Sequence, residues 1–241
     1  MRIVVTNCNT TQEMTEEIVR GARAAAGPGT TVTGLTPGWG PESAEGWLDS
    51  YLSAAAVLDA LRTYDGPPYD AVVMAGFGEH GREGVRELVD APVVDITEAA
   101  AHLACLLGRR YGVVTTLERS CGQIEDSLEV AGVGRNCAAV IGTGLGVLEL
   151  EDAERTEAAF LTAAERARDA GAEVLVLGCA GMTGLQQAVS EKLGIPVVDG
   201  VGAAVKLAES LVGLGLRTSR VGGYARPLPK RRAWGGGAES D

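Results

Sequence analysis

Short apolar runs alternate along the chain with longer amphipathic stretches. Ile3-Val4-Val5, Val72-Val73-Met74, Val113-Val114 and Val174 to Leu177 are each followed within a residue or two by Gly, Asn or Thr. Runs of this kind, too short for helices and rich in β-branched residues, predict buried strands. The pattern predicts strands at 2–6, 31–33, 69–75, 93–94, 111–115, 137–141, 174–177 and 197–198. Helices are predicted over 10–26, 44–64, 82–89, 97–107, 120–131, 152–170, 185–193 and 202–214. Thr10 with Glu13 and Ser120 with Gln123 have capping-box spacing, and Thr97 and Asp152 stand where helix caps belong. Residues 36–46, rich in Pro and Gly, predict a loop able to act as a lid, with Trp39 and Trp47 as candidate lining. Residues 142–150 predict a second Gly-rich loop.

The pattern repeats. Asp70 to Asp95 and Glu173 to Asp199 both run strand, glycine turn, helix and Pro-Val-Val-Asp, with Val73 against Val176, Gly78 against Gly181 and Gly81 against Gly184. Small-residue runs follow both, Glu98-Ala99-Ala100 and Gly202-Ala203-Ala204. Ile3 to Asn7 also aligns with Gly112 to Thr116. A period of about 100 residues describes two similar lobes rather than a solenoid. Alternating strands and helices predict an α/β fold: two pseudo-symmetric lobes, each a parallel sheet flanked by helices, with the active site in the cleft between them. The expected division is 1–97 with 203–216, then 98–202, then a flexible tail over 217–241. Ligands of such sheets bind beyond the carboxyl ends of the strands, so the loops of interest are 7–10, 76–81, 115–119 and 178–183.

Composition narrows the function classes. The chain has 241 residues, a formal net charge of −11 and 46% hydrophobic residues. That charge argues against nucleic acid as a partner. No apolar run approaches the roughly 20 residues of a membrane span, and no secretory signal is visible. The five cysteines, Cys8, Cys105, Cys121, Cys137 and Cys179, are dispersed and form no metal-binding motif. A reduced cytoplasmic protein, forming a homo-oligomer, is expected.

Cys179 is the candidate reactive group. It follows a strand and precedes a helical segment, where free N–H groups and the helix dipole lower a thiol pKa. It is therefore expected to react with iodoacetamide well below pH 8.5. In the repeat its counterpart is Gly76.

These residues carry a resemblance. Asn7-Cys8-Asn9-Thr10-Thr11, Thr115-Thr116-Leu117 and Gly178-Cys179-Ala180-Gly181-Met182 resemble motifs of the aspartate/glutamate racemase superfamily, and within it the hydantoin and allantoin racemases. The resemblance covers roughly residues 1–215. It implies no metal, no cofactor and a small-molecule substrate. It also implies proton transfer at a carbon next to a carbonyl, one acid/base group per face. The chain departs from the pattern twice. Cys8 stands where proline is usual, and Gly76-Phe77-Gly78-Glu79-His80-Gly81 stands where Cys-Phe-Gly-Asp-Pro-Gly is usual. Without a first-lobe thiol, three outcomes are open. Glu79 or His80 replaces it in a racemase. A one-sided enzyme like arylmalonate decarboxylase uses Cys179 alone. Or the chain only binds a small acid.

The candidate substrate contacts are Asn7, Asn9, Thr10, Gly76, Phe77, Gly78, Thr115, Thr116, Ala180 and Gly181. Glu79 also reads as an ordinary helix-start residue and His80 as a packed loop residue. Asn7, Asn9 and Thr10 also read as helix caps. Cys8 lines the expected cleft with a passive role. His102 and Cys105 read as core packing on one helix, and Cys121 and Cys137 as small apolar residues.

Overall fold

A computed structural model describes residues 1–151, 153–182, 185–233 and 239–240. Asp152 and Gly184, read above as a cap and as part of the repeated turn, lie outside the described residues, as does the end of the expected tail.

The apolar runs are strands, and both halves of the chain build the same unit. The first contains β1 (Arg2–Thr6), α1 (Gln12–Ala25), β2 (Thr31–Leu35), α2 (Trp47–Arg62), β3 (Ala71–Met74), α3 (Arg82–Leu88), β4 (Val93–Asp95) and α4 (Ile96–Leu107). The second contains β5 (Tyr111–Thr115), α5 (Cys121–Val130), β6 (Cys137–Gly142), α6 (Ala153–Asp169), β7 (Val174–Leu177), α7 (Gln186–Leu193), β8 (Val197–Asp199) and α8 (Gly200–Gly213). Each forms a four-stranded parallel sheet, in the order β2-β1-β3-β4 and β6-β5-β7-β8. The expected fold class holds. Central strands β3 and β7 are buried along their whole length, as a sheet covered on both faces requires.

The last helix of each half crosses to the other sheet. α4 packs on β5, β7 and β8, while α8 packs on α1, β3 and β4. The two helices meet through the small-residue runs, where Ala99, Ala100, Ala203 and Ala204 are buried in a core shared by both lobes. Gly200 allows their starts to close up, since a Cβ there would stand 3.0 Å from the carbonyl oxygen of Ile96. The cleft therefore lies between sheets fixed by a common core.

The repeated Pro-Val-Val-Asp ends a strand and caps a helix. Asp95 accepts from the N–H groups of Thr97 (2.8 Å) and Glu98 (3.3 Å), and Asp199 from those of Val201 (3.3 Å) and Gly202 (2.8 Å). Thr97 is therefore not the cap. Its hydroxyl accepts from the N–H of Gly78 instead, at 2.8 Å. Neither capping box forms. α1 begins at Gln12 with no side-chain cap, and Ser120 caps nothing, because Gln123 turns across the cleft to Ser50 and to the carbonyl of Glu79. Local spacing was outcompeted by tertiary partners.

Part of the expected tail is anchored. Arg220 donates to Asp90 and to the carbonyls of Arg86 and Glu87, Thr218 to the carbonyl of Ala91, and Tyr224 to Glu83. Among the described residues no helix is long and apolar enough to cross a membrane.

Candidate active site

The carboxyl ends of β1, β3, β5 and β7 surround a cavity with about 530 Å³ of open volume. Its walls include Asn7, Cys8 and Asn9 after β1, Gly76, Phe77 and His80 after β3, Thr115 and Thr116 at the end of β5, and Gly178 to Gly181 after β7. Met14, Ile18, Ala44, Ser120, Gln123 and Val147 complete it. Sequence reasoning missed these six. They reach the cavity from helices and distant loops, and no local motif marks them.

Strand register decides which residues face each other. Thr6 pairs with Met74, so two residues on Cys8 stands beside Gly76. Val114 pairs with Leu177, so Thr116 stands beside Cys179. The lobe equivalence is thus one residue away from the sequence alignment of Ile3–Asn7 with Gly112–Thr116. Thr6 corresponds to Val114, and Cys8 to Thr116. Two runs of similar apolar residues slide past each other in an alignment, whereas a one-residue slip in a sheet reverses every side chain.

Gly76 is a glycine for a reason. A Cβ there would stand 2.4 Å from Cδ2 of His80 and 2.7 Å from Cβ of Cys8. The space of a first-lobe side chain is already filled. Gly76→Cys is expected to destabilise the fold by about 1–3 kcal/mol through overpacking. A thermal melt should show a fall of several degrees, and His80→Ala in the same chain should restore part of it.

His80 is buried, 4% exposed. Its Nε2 lies 3.3 Å from the carbonyl oxygen of Phe77. A carbonyl only accepts, so Nε2 carries the proton and Nδ1 is bare. Nδ1 is buried and has no partner among the described residues. Burial holds the imidazole below its ordinary pKa, against the Phe77 hydrogen bond and the charge of Glu79.

Three expected site residues face elsewhere. Glu79 is committed to the start of α3, accepting from the N–H groups of Gly81 (2.6 Å) and Arg82 (3.2 Å) and facing the Arg82 guanidinium at 3.7 Å. It does not line the cavity. Thr10 donates from its N–H (3.0 Å) and its hydroxyl (3.4 Å) to the carbonyl of Pro41, holding the 36–46 loop. The Gly78 N–H is taken by Thr97. Of the lining residues, Asn7 directs its amide to Asn9, Thr11 and Thr15, and Thr115 donates to the carbonyl of Gly178 at 3.0 Å. Both shape the walls. Neither tryptophan lines the cavity: Trp39 donates to Asp59, and Trp47 is exposed. His102 is exposed rather than packed in the core, its Nδ1 2.7 Å from the carbonyl oxygen of Glu98.

The Cys179 thiol faces the cavity, but its electrostatics reverse the expectation. The helix start beside it is a single 3-10 turn, Ala180–Met182, and α7 begins only at Gln186. No macrodipole of useful length points at the sulfur. Burial instead pushes the thiol up, to about 11, with the Gly181 N–H opposing and Glu17 and Glu45 adding to the rise. Cys8 is pushed to about 12 by burial, then by the charge of a Cys179 thiolate. Two consequences follow. Alkylation of Cys179 by iodoacetamide should be slow at pH 7.5 and rise about tenfold per pH unit towards pH 10, because the thiolate is the nucleophile. In the unfolded chain both thiols ionise near 9. Above that pH the folded state keeps protons that the unfolded state releases. Stability should therefore fall as pH rises from 9 to 11, which pH-dependent urea denaturation measures.

Two thiols, Cys8 and Cys179, thus line a cleft at the strand ends of a parallel two-lobed α/β fold. The comparisons with known proteins agree with that fold. The profile of the Asp/Glu/Hydantoin racemase family matches residues 3–208. A structure of allantoin racemase from Pseudomonas fluorescens is 53% identical, with a TM-score of 0.94, covering 97% of this chain and 100% of its own. Allantoin racemase from Klebsiella pneumoniae is 40% identical, with a TM-score of 0.93, covering 98% of each chain. Hydantoin racemase from Rhizobium meliloti is 40% identical over 97% of this chain and 98% of its own. Arylmalonate decarboxylase, at 19% identity and a TM-score of 0.60, shares the fold. The chain belongs to the Asp/Glu/hydantoin racemase family, and it is a racemase.

Proposed function

We propose that this racemase inverts a carbon next to a carbonyl in a small ureide of the allantoin or hydantoin class, with Cys179 as one acid/base. The observation that carries the reading is the Cys179 thiol on the wall of the cavity, in a chain 53% identical to an allantoin racemase over 97% of this chain and 100% of the other. An α-proton in such a ring is acidified by its carbonyl. Its removal leaves an enolate, and inversion requires that a proton return on the opposite face. The N–H groups of Gly76, Phe77 and Cys179 donate to no protein acceptor among the described residues, and they border the cavity. They suit a developing oxyanion. One proton leaves one face and another is delivered to the opposite face with no net change of oxidation state, so the reaction needs no redox or group-transfer cofactor.

The first lobe must supply the opposing group. Glu79 is committed elsewhere, which leaves His80 and Cys8 on that wall. Gly76 favours a second reading, a one-sided decarboxylase. Both are tested by incubating pure enantiomers of allantoin and 5-substituted hydantoins, and separately arylmalonates, with the enzyme. Loss of optical rotation supports the racemase of ureides. Carbon dioxide release from a malonate, with no racemisation, supports the decarboxylase.

A further inference from the structure

The side chain of Cys8 stands in the space that Gly76 leaves. Its Cβ is 2.7 Å and its Sγ 3.0 Å from the point a Cβ on residue 76 would occupy. Adjacent strands of a sheet lie about 4.8 Å apart, so a thiol on the neighbouring strand at the same level reaches nearly the same place. The two departures from the family motif, Cys8 and Gly76, are thus one local rearrangement: they are neighbours across the β1–β3 pairing. Cys8 and Cys179 both line the cavity and both are free thiols, part-exposed to it. The buried His80 packs against the same point, its unpartnered Nδ1 on a ring that borders the cavity.

We propose that Cys8 is the first-lobe acid/base of this racemase, paired with Cys179 across the substrate. The proposal rests on the racemase reading above and names its second catalytic residue. In one direction the Cys8 thiolate takes the α-proton. The C–H bond breaks, an S–H bond forms, and the electron pair moves to the carbonyl oxygen as an enolate. The Cys179 S–H then gives its proton to the opposite face, and its bonding pair stays on sulfur. The enzyme is left with Cys8 protonated and Cys179 ionised, the starting state for the reverse reaction. Exchange with solvent water at the two sulfurs restores the first state. A Cys179 thiolate opposes ionisation of Cys8, so the site favours one charge at a time, as one base facing one acid requires. His80 is a positioning residue. Its ring fills the gap left by Gly76 beside Cys8, and its Nε2–H holds the Phe77 carbonyl.

The test uses Cys8→Ser, Cys179→Ser and His80→Gln, each shown to be folded by its melting curve. Each is incubated in deuterium oxide with each enantiomer of a ureide that the wild type racemises. Cys8→Ser and Cys179→Ser should both lose inversion by 100-fold or more. Each should still exchange the α-proton of one enantiomer with retention, and the two variants should select opposite enantiomers. His80→Gln should slow both directions alike and keep inversion. Racemisation by Cys8→Ser within tenfold of wild type would overturn the proposal. So would one-sided exchange by His80→Gln, or a folded Cys8→Ser inert towards both enantiomers. As a second readout, a substrate-bound wild type should protect both Cys8 and Cys179 from N-ethylmaleimide at pH 9, and protection of Cys179 alone would count against Cys8. A wild type that racemises no ureide strikes at the racemase reading itself, whereas racemisation that survives Cys8→Ser strikes at Cys8 only.

Discussion

Cys179→Ala should lower kcat for racemisation by roughly 10²–10⁴-fold, equally in both directions, while KM changes little. In the proposed mechanism the thiol is a base towards one enantiomer and an acid towards the other, so its loss removes a step from both. Substrate binding, which rests on the walls of the cavity and its backbone N–H groups, survives. Towards the enantiomer that Cys179 would deprotonate, the remaining rate should also lose the steep rise with pH expected of a buried thiolate. In the wild type that rise reflects the upward push of burial on Cys179, to about 11. At neutral pH few molecules carry the thiolate, and each pH unit adds about tenfold until the thiol titrates. A high pKa also makes the thiolate a stronger base, which a weakly acidic carbon needs. Initial rates from polarimetry between pH 7 and 10 measure both effects.

Arg82→Met should destabilise the protein by about 3–5 kcal/mol, the usual result of leaving buried charge without its partner. In a chain of this size the melting temperature should fall by on the order of 10 °C. Arg82 is 1% exposed. Its guanidinium lies 2.7 Å from Glu83, 3.7 Å from Glu79, 3.8 Å from Asp95 and 3.7 Å from Glu98. Asp95 is fully buried, and one of its oxygens already has no hydrogen-bond partner. Without Arg82 no group of opposite charge among the described residues faces it at that distance. Protonation relieves such a carboxylate, so the deficit should be smaller at pH 5 than at pH 8 in paired melts. The same arginine organises the 76–81 turn through Glu79, so the variant should lose racemisation at temperatures below its melting transition.

Much of the fold was legible because it depends on short-range pattern. Apolar runs of two to four residues, glycine turns and the duplicated Pro-Val-Val-Asp named the strands and the two lobes. Cys179 and Gly76 were legible as counterparts for the same reason. What failed was whatever depends on a distant partner. Thr97, Ser120 and Gln123 have the residue types and spacing of caps, but Gly78, Ser50 and Glu79 compete for them across the fold. Glu79 looked like a base because it shares a loop with Gly76, yet the start of α3 claims its carboxylate. The thiol pKa went the other way because burial dominates it and the predicted helix, α7, begins only at Gln186, leaving a single 3-10 turn beside Cys179. The place of Cys8 beside Gly76 was not legible, because strand register is absent from a one-dimensional alignment.

The most direct test of a two-faced thiol site is the isotopic composition of both enantiomers early in the wild-type reaction. One pure enantiomer of allantoin or a 5-substituted hydantoin is incubated in deuterium oxide and sampled before 10% conversion, with uncatalysed exchange subtracted. Proton removal on one face and delivery from a solvent-exchanged thiol on the other predict deuterium in the product enantiomer and protium in the recovered substrate. Deuterium appearing in the recovered substrate as fast as in the product would mean a single base returning protons to either face, and would contradict a cleft with one acid/base group on each side.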